Sequence, residues 1–305
     1  MSMENLFLTN VGLPAETVRK YNNDLVHLFS LYLNLAPDAI DEKSVQSLAD
    51  DCHITRDEAF AQYLAAIAGL DTAGRDRLFF RYWLQPAIKE LDPAPFQADA
   101  YFQNIRIEPR KRGKWELRTE ALRPFEAFVR DDFVITGDRR MIPQIGFFKE
   151  AYPFPAVLEN GREWMTLLPN EMVTTWPALK KAHGRVLTFG LGLGYFTYHA
   201  AENPEVESVT VVDISPDVIA LFKEQILPQF PHKEKVRLVC ADAFRFADTE
   251  MAGNFDFVFA DIWHDAGDGK ELYLKMKEYE SKHPDIDFTF WLEDTIKCYL
   301  DESLW

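Results

Sequence analysis

Three glycines, Gly190, Gly192 and Gly194, occupy alternate positions in LTFGLGLGYFTYHA, after a short apolar run and before a helix-like stretch. A turn of this kind bends sharply and brings main chain within contact distance of a ligand that Cβ atoms would exclude. Asp213 stands 19 residues past Gly194, at the end of SVTVVDI, where a carboxylate can accept two hydrogen bonds from ribose hydroxyls. That implies a nucleoside. Asp242, in VCADAF, is placed to accept from an exocyclic adenine amine, with the N–H of Ala243 available to a ring nitrogen. Taken singly, the turn could be structural and either aspartate a helix cap or a loop residue. The dinucleotide fingerprint GxGxxG needs a glycine at position 195, where Tyr195 stands, and the GK[ST] phosphate loop is absent. The three features in order, at successive strand ends, favour the nucleoside.

The elements that must position these residues follow from periodicity. Beyond Gly184 the chain alternates strand and helix: RVLTF, SVTVVDI, VRLVCAD, FDFVFAD and DIDFTFWLED are the strands. That alternation predicts a doubly wound parallel α/β sheet of Rossmann-like type, with ligands beyond the carboxyl ends of its strands. Ser215 as N-cap and Pro216 at the first helical position open the helix after Asp213. Earlier, Val18, Tyr21, Leu25, Leu28, Phe29 and Tyr32 share one helical face, and TRDE at Thr55–Glu58 reads as a capping box before a helix with Ala59, Tyr63 and Ile67 along one side. Asn160-Gly161 between two apolar runs predicts a hairpin, and a helix follows from about Asn170 to Lys181. Three domains are expected: a helical domain over 1–100, a small antiparallel β region over 101–169 and the cofactor-binding sheet over 170–305.

Composition excludes several classes. The 305 residues carry a formal net charge of −16, which repels a phosphate backbone, and the helix-turn-helix rhythm near residue 55 offers only Arg56 as a cation beside Glu58. Nucleic acid is therefore not the expected partner. RIEPRKRGKWELR is a local basic run, readable as a solvated loop or as a surface facing an anionic substrate. No apolar run reaches membrane-span length, and MSMENLFLTNVG lacks the features of a secretory signal, so a cytoplasmic protein is expected. Cys52, Cys240 and Cys298 lie far apart, which favours buried reduced thiols over disulfides or a zinc site.

The ordered series LTFGLGLG, VVDIS, CADAF and FDFVFAD resembles the motifs of class I S-adenosylmethionine-dependent methyltransferases over roughly 185–261. A narrower resemblance reaches back to Ala156: AVLENGREWMTLLPNEM looks like the hairpin and Glu-Met helix that lead into the sheet in the spermidine synthase-like branch, with Glu171-Met172 as the pair. The resemblance implies S-adenosylmethionine held by Gly190, Gly192, Gly194, Asp213, Ile214, Asp242, Ala243 and Glu171. Polyamine synthases place a glutamine where Trp164 stands and a tyrosine where Pro169 stands, and their acidic segment after the fourth strand is only partly kept in DIWHD. Ordinary S-adenosylmethionine and methyl transfer are therefore favoured over aminopropyl transfer.

Methyl transfer is an in-line displacement that needs an aligned nucleophile and, for an N–H or O–H acceptor, a proton acceptor. FADIWHD sits where the resemblance places the methyl. Asp261 can hold a substrate amine or the cofactor's amino group, Trp263 can form an apolar or cation–π wall, and His264 can accept a proton. Their plainer roles are a loop cap, a core aromatic and a solvated histidine. His264, Asp265 and Asp268 read as turn chemistry rather than metal ligands. Few residues follow DIDFTFWLED, so the sheet is expected to stop at a fifth strand, completed by an earlier segment or covered by a second copy of the chain. Three functions stand: a methyltransferase of a small-molecule acceptor, with an amine among the candidates, an aminopropyltransferase, and a non-catalytic nucleoside-binding protein.

Overall fold

A computed structural model describes residues 10–305. Helices α1 (Ala15–Leu35), α2 (Glu42–Cys52) and α3 (Arg56–Ile67) come first, followed by strands β1 (Ile88–Leu91), β2 (Arg110–Arg112), β3 (Trp115–Leu122), β4 (Phe128–Ile135), β5 (Met141–Phe148), β6 (Tyr152–Glu159) and β7 (Arg162–Thr166). The chain then alternates through α4 (Pro169–Leu179), β8 (Gly184–Phe189), α5 (Tyr195–Glu202), β9 (Val206–Asp213), α6 (Pro216–Leu221), β10 (Val236–Cys240), α7 (Ala243–Glu250), β11 (Phe257–Ala260), α8 (Lys270–Lys282), β12 (Asp287–Phe290) and α9 (Glu293–Leu300). These elements form two compact units. The first takes in the chain up to Pro93, Ala121–Tyr152 and Leu300–Trp305, and the second Ala94–Glu120 and Pro153–Tyr299.

In the first unit α1 buries Val18, Leu25, Phe29 and Tyr32, the face its apolar spacing defines. Thr55 caps α3 by accepting the Glu58 N–H at 3.2 Å. The buried side of α3 is Ala59, Phe60, Ala61, Leu64 and Ala65, while Ile67, expected on that side, is the last helical residue and lies 57% exposed. Arg56 grips Glu90 through Nε and Nη2, both at 2.6 Å. The sheet runs β1-β5-β4, with β1 parallel and β4 antiparallel to β5. A strand at 88–91 departs from the helical reading of this stretch: a π-helical segment Phe80–Leu84 and the turn holding Pro86 end the helix, and buried Ile88 followed by exposed Lys89 begins a two-residue alternation. Every residue of β5 is buried, so it needs cover on both faces and pairs with β1 and β4 rather than with the rest of the region 101–169.

Asn22, fully buried, ties this unit together. Its Nδ2 donates to the Arg139 and Leu304 carbonyls at 3.1 and 2.9 Å, and its Oδ1 accepts from Trp83 Nε1 and the Met141 N–H, each at 2.9 Å. Asn22→Leu keeps the volume and orphans these four groups, so it is expected to destabilise the unit by about 3 kcal/mol, read as a shift in the urea midpoint.

In the second unit β2-β3-β6-β7 form a four-stranded sheet. The β6–β7 hairpin turns on Asn160 and Gly161 at φ 52° and 79°, the left-handed pair that a type I′ turn requires. The other sheet has five parallel strands in the order β10-β9-β8-β11-β12. Its central strand β8 buries Val186 to Phe189 without a break, as a strand covered on both faces must. At the edge, Asp287 of β12 is exposed and Phe288 and Thr289 are half-buried, which matches the alternating polarity of that segment.

Candidate functional site

The carboxyl ends of β8, β9, β10 and β11 open onto one cavity of about 400 Å³. Its floor begins at the glycine turn. Gly190 has φ +95° and donates its N–H to the Val212 carbonyl at 2.9 Å. A Cβ there would sit 1.8 Å from the Asp261 carbonyl oxygen, so the ends of β8 and β11 meet main chain to main chain. Gly192 has φ +49°, and a Cβ on it would meet Met165 Sδ at 2.1 Å. Gly194 supplies the left-handed N-cap of α5.

Asp213, at the end of β9, accepts the Leu191 N–H on Oδ2 at 3.1 Å and the Ser215 N–H on Oδ1 at 2.7 Å. Each oxygen keeps a second lone pair, so the carboxylate can fix the turn and still receive hydroxyl donors from the cavity it lines. Burial raises its pKa against the lowering effect of both bonds. Ile214, 72% exposed, sets an apolar side chain on the cavity wall. Asp242 caps α7 by accepting the Arg245 N–H at 2.9 Å and also lines the cavity, so cap and wall coincide in one residue. Ala243 opens α7, where main-chain N–H groups have no intrahelical acceptor.

The distinctive electrostatic feature is a pair of acids. Glu171, in the first turn of α4, and Asp261, just past β11, both line the cavity, and neither side chain makes a hydrogen bond or ion pair among the described residues. Each keeps an edge on the cavity and is enclosed by protein elsewhere. Burial, reinforced by the charge of Asp261, raises Glu171 well above the usual carboxylate range, and burial raises Asp261 as well. Two desolvated carboxyls that repel one another both favour the protonated form. A ligand cation can replace that proton. The Glu171 turn is anchored by a short relay, in which Trp291 Nε1 donates to Thr174 Oγ1 at 2.9 Å and that hydroxyl donates to the Asn170 carbonyl at 2.7 Å.

Trp263 and Trp164 both line the cavity. Trp263 does so with only 5% of its surface exposed; it packs edge-on to Tyr273 at 6.4 Å, and its buried indole N–H has no partner among the described residues. Trp164, on β7, presents the open indole: it is 42% exposed, stands edge-on to Trp115 at 5.7 Å and lies 5.5 Å from the His264 ring. His264 sits at the rim, with Nε2 3.3 Å from the Glu163 carbonyl. Next to it, Asp265 Oδ1 accepts from the Gly267 and Asp268 N–H groups at 2.6 and 3.0 Å, which is turn chemistry. Within the basic run, Arg112 pairs with Asp217 and Glu224, Lys114 with Glu159, and Arg118 with Glu120, while Arg106 donates to the Phe102 carbonyl at 2.8 Å. Met165 was invisible to sequence reasoning, because nothing in EWMTLL signals a thioether against a glycine turn; Trp164 stood out only as a departure from the polyamine synthases.

Residues 186–277, from β8 into α8, match the family described as a methyltransferase domain. The match makes this stretch similar to a methyltransferase domain, and the five-stranded parallel sheet over the same residues is consistent with a Rossmann-like fold. Among curated proteins, none matches the chain. No helix among the described residues is long and apolar enough to cross a membrane.

Proposed function

We propose that the protein transfers the methyl group of S-adenosylmethionine to the nitrogen of a small amine. The observation that carries this reading is the partnerless Glu171–Asp261 pair, placed on the same cavity as the glycine turn and the Asp213 carboxylate. The residues fit the cofactor: the glycines of 190–194, packed against Asp261, Met165 and Phe222, let the main chain turn tightly at the cavity edge, Asp213 has free lone pairs for ribose hydroxyls, and Ile214 with the first turn of α7 suits a purine. The β6–β7 hairpin and the Glu171-Met172 helix lead straight into the sheet, an arrangement that supports assignment to the spermidine synthase-like branch.

When bound, the sulfonium supplies an electrophilic methyl, and its sulfur keeps the electron pair as the carbon–sulfur bond breaks. Glu171 and Asp261 attract the acceptor as an ammonium and take the proton it loses, which frees the nitrogen lone pair to form the new bond to carbon. Trp164 offers an open ring face to the acceptor, and His264 at the rim is a proton acceptor that solvent reaches.

Calorimetry with S-adenosylmethionine, its demethylated product S-adenosylhomocysteine and the decarboxylated cofactor tests the reading. Binding of the first two supports methyl transfer. Preference for the decarboxylated form turns the assignment to aminopropyl transfer, and cofactor binding without any product across an amine pool leaves a nucleoside-binding protein. Asp213→Ala is expected to weaken binding of the demethylated product at least tenfold, from loss of a charge-assisted hydrogen bond of about 1.5–3 kcal/mol. Unchanged affinity would remove the ribose from Asp213.

A further inference from the structure

Leu193 lies between Gly192 and Gly194, and the peptide groups on either side of its Cα are each held by a group that the cofactor does not supply. Its N–H donates to Met165 Sδ at 3.1 Å, and its carbonyl accepts the Tyr101 hydroxyl at 2.6 Å. Both partners come from outside the βα unit that makes the turn: Met165 from β7, and Tyr101 from a short helix, Ala100–Asn104. Tyr101 is almost wholly buried, its ring edge-on to Tyr195 and Tyr198 of α5 at 5.7 and 5.5 Å. Burial pushes its phenol far above the ordinary value, so it is always a donor.

The segment carrying Tyr101 is fastened by more than this bond. Asp99, which caps the Tyr101 helix through the Tyr101 N–H at 2.8 Å, lies 3.1 Å from His199 Nε2 and accepts the Tyr195 hydroxyl at 3.1 Å. Tyr195 in turn accepts from Trp176 Nε1 of α4 at 3.1 Å. Asn104 donates to the Tyr198 hydroxyl at 2.6 Å. Residues 99–104 thus lie along α5 and reach its leading turn at one point, the Leu193 carbonyl.

A turn with positive φ at three glycines has many alternative conformations when free, because glycine populates them at little energetic cost. Fixing two successive peptide groups of it before the ligand arrives removes an ordering cost from binding. We infer that Tyr101 and Met165 are positioning residues that hold the glycine turn in its cofactor-contacting conformation in the free protein. The inference rests on the reading of this turn as the cofactor's seat.

The test uses the full-length protein with Tyr101→Phe and, independently, Met165→Leu, which keeps the volume and removes the sulfur acceptor. Two quantities are read: amide exchange of the peptide spanning 187–196 without ligand, and the dissociation constant of S-adenosylhomocysteine by calorimetry well below the unfolding temperature. Each variant is expected to speed exchange in the turn while leaving the β9 and β11 amides unchanged, and to raise the dissociation constant, about tenfold for Tyr101→Phe. A purely structural bond would lower the melting temperature without moving the affinity. Wild-type exchange in both variants, or faster exchange with affinity within twofold of wild type, would overturn the inference. If the wild type binds no S-adenosyl compound, the cofactor reading fails instead, and the exchange arm still decides whether the clasp orders the turn.

Discussion

Replacing Gly190 with alanine is expected to abolish cofactor binding and to destabilise the protein by about 4 kcal/mol. Two independent strains add. The backbone sits at φ +95°, which an L side chain rarely adopts, and the new methyl would lie 1.8 Å from the carbonyl oxygen of Asp261. That oxygen belongs to main chain, so no rotamer can move it aside; the ends of β8 and β11 must separate. Their ladder pairs Ala260 with Phe189 and continues in the Asp261 N–H to Phe189 carbonyl bond at 2.9 Å, so separation removes sheet hydrogen bonds and displaces Asp261 from the cavity. Thermal unfolding and calorimetry with S-adenosylhomocysteine read the two effects. A Gly190→Ala protein with wild-type melting temperature and affinity would contradict the close approach.

The acid pair gives the second large effect, and its two readouts have opposite signs. If the proposed function holds, Asp261→Asn is expected to lower methyl transfer at least 100-fold, because the proposal makes Asp261 half of the ammonium seat and proton acceptor. The same change should stabilise the fold at pH 8. Burial pushes the Asp261 carboxyl up to about 7, above its ordinary value near 4. The folded state therefore keeps a proton that the unfolded chain releases across this interval. Stability associated with the group is complete below about pH 4, declines as pH rises toward 7 and is lost above it. Asparagine carries no such penalty, so the variant's melting temperature should exceed that of wild type by several degrees at pH 8, and the gap should close on acidification toward pH 4. Glu171→Gln should behave in the same sense. A gap that is absent or reversed at pH 8 would mean that the pair is neutralised by partners of its own.

Much of the sheet was legible because its determinants are local. RVLTF, SVTVVDI, VRLVCAD and FDFVFAD are each rich in apolar and β-branched residues and lead into a glycine or an aspartate, and each is a parallel strand ending at the cavity. The Ser215 cap and the Asn160-Gly161 turn were readable for the same reason, as single residues with strong backbone preferences. What escaped depends on contacts between residues remote in sequence. Parallel pairing of β1 with β5 joins Ile88 to Ile145, and no local pattern encodes that choice. Trp263 and Trp164 are equally aromatic in the sequence; only the packing of Tyr273 against one leaves the other as the open face. Likewise Met165 and Tyr101 reach Leu193 across 28 and 92 positions. The partnerless state of Glu171 and Asp261 was hidden too, since a sequence shows which groups are charged but not which of them have been left alone.

The route of the chain through the first unit has a consequence for synthesis on the ribosome. Residues 300–305 belong to that unit, where the Leu304 carbonyl receives the Asn22 amide and Asp301 pairs with Arg139 at 2.7 Å. They leave the exit tunnel only after the whole parallel sheet has been translated. The earliest helices therefore keep Asn22 incompletely bonded until the late segment arrives, so a released chain truncated before residue 300 should be more sensitive to protease in α1 than in its parallel sheet.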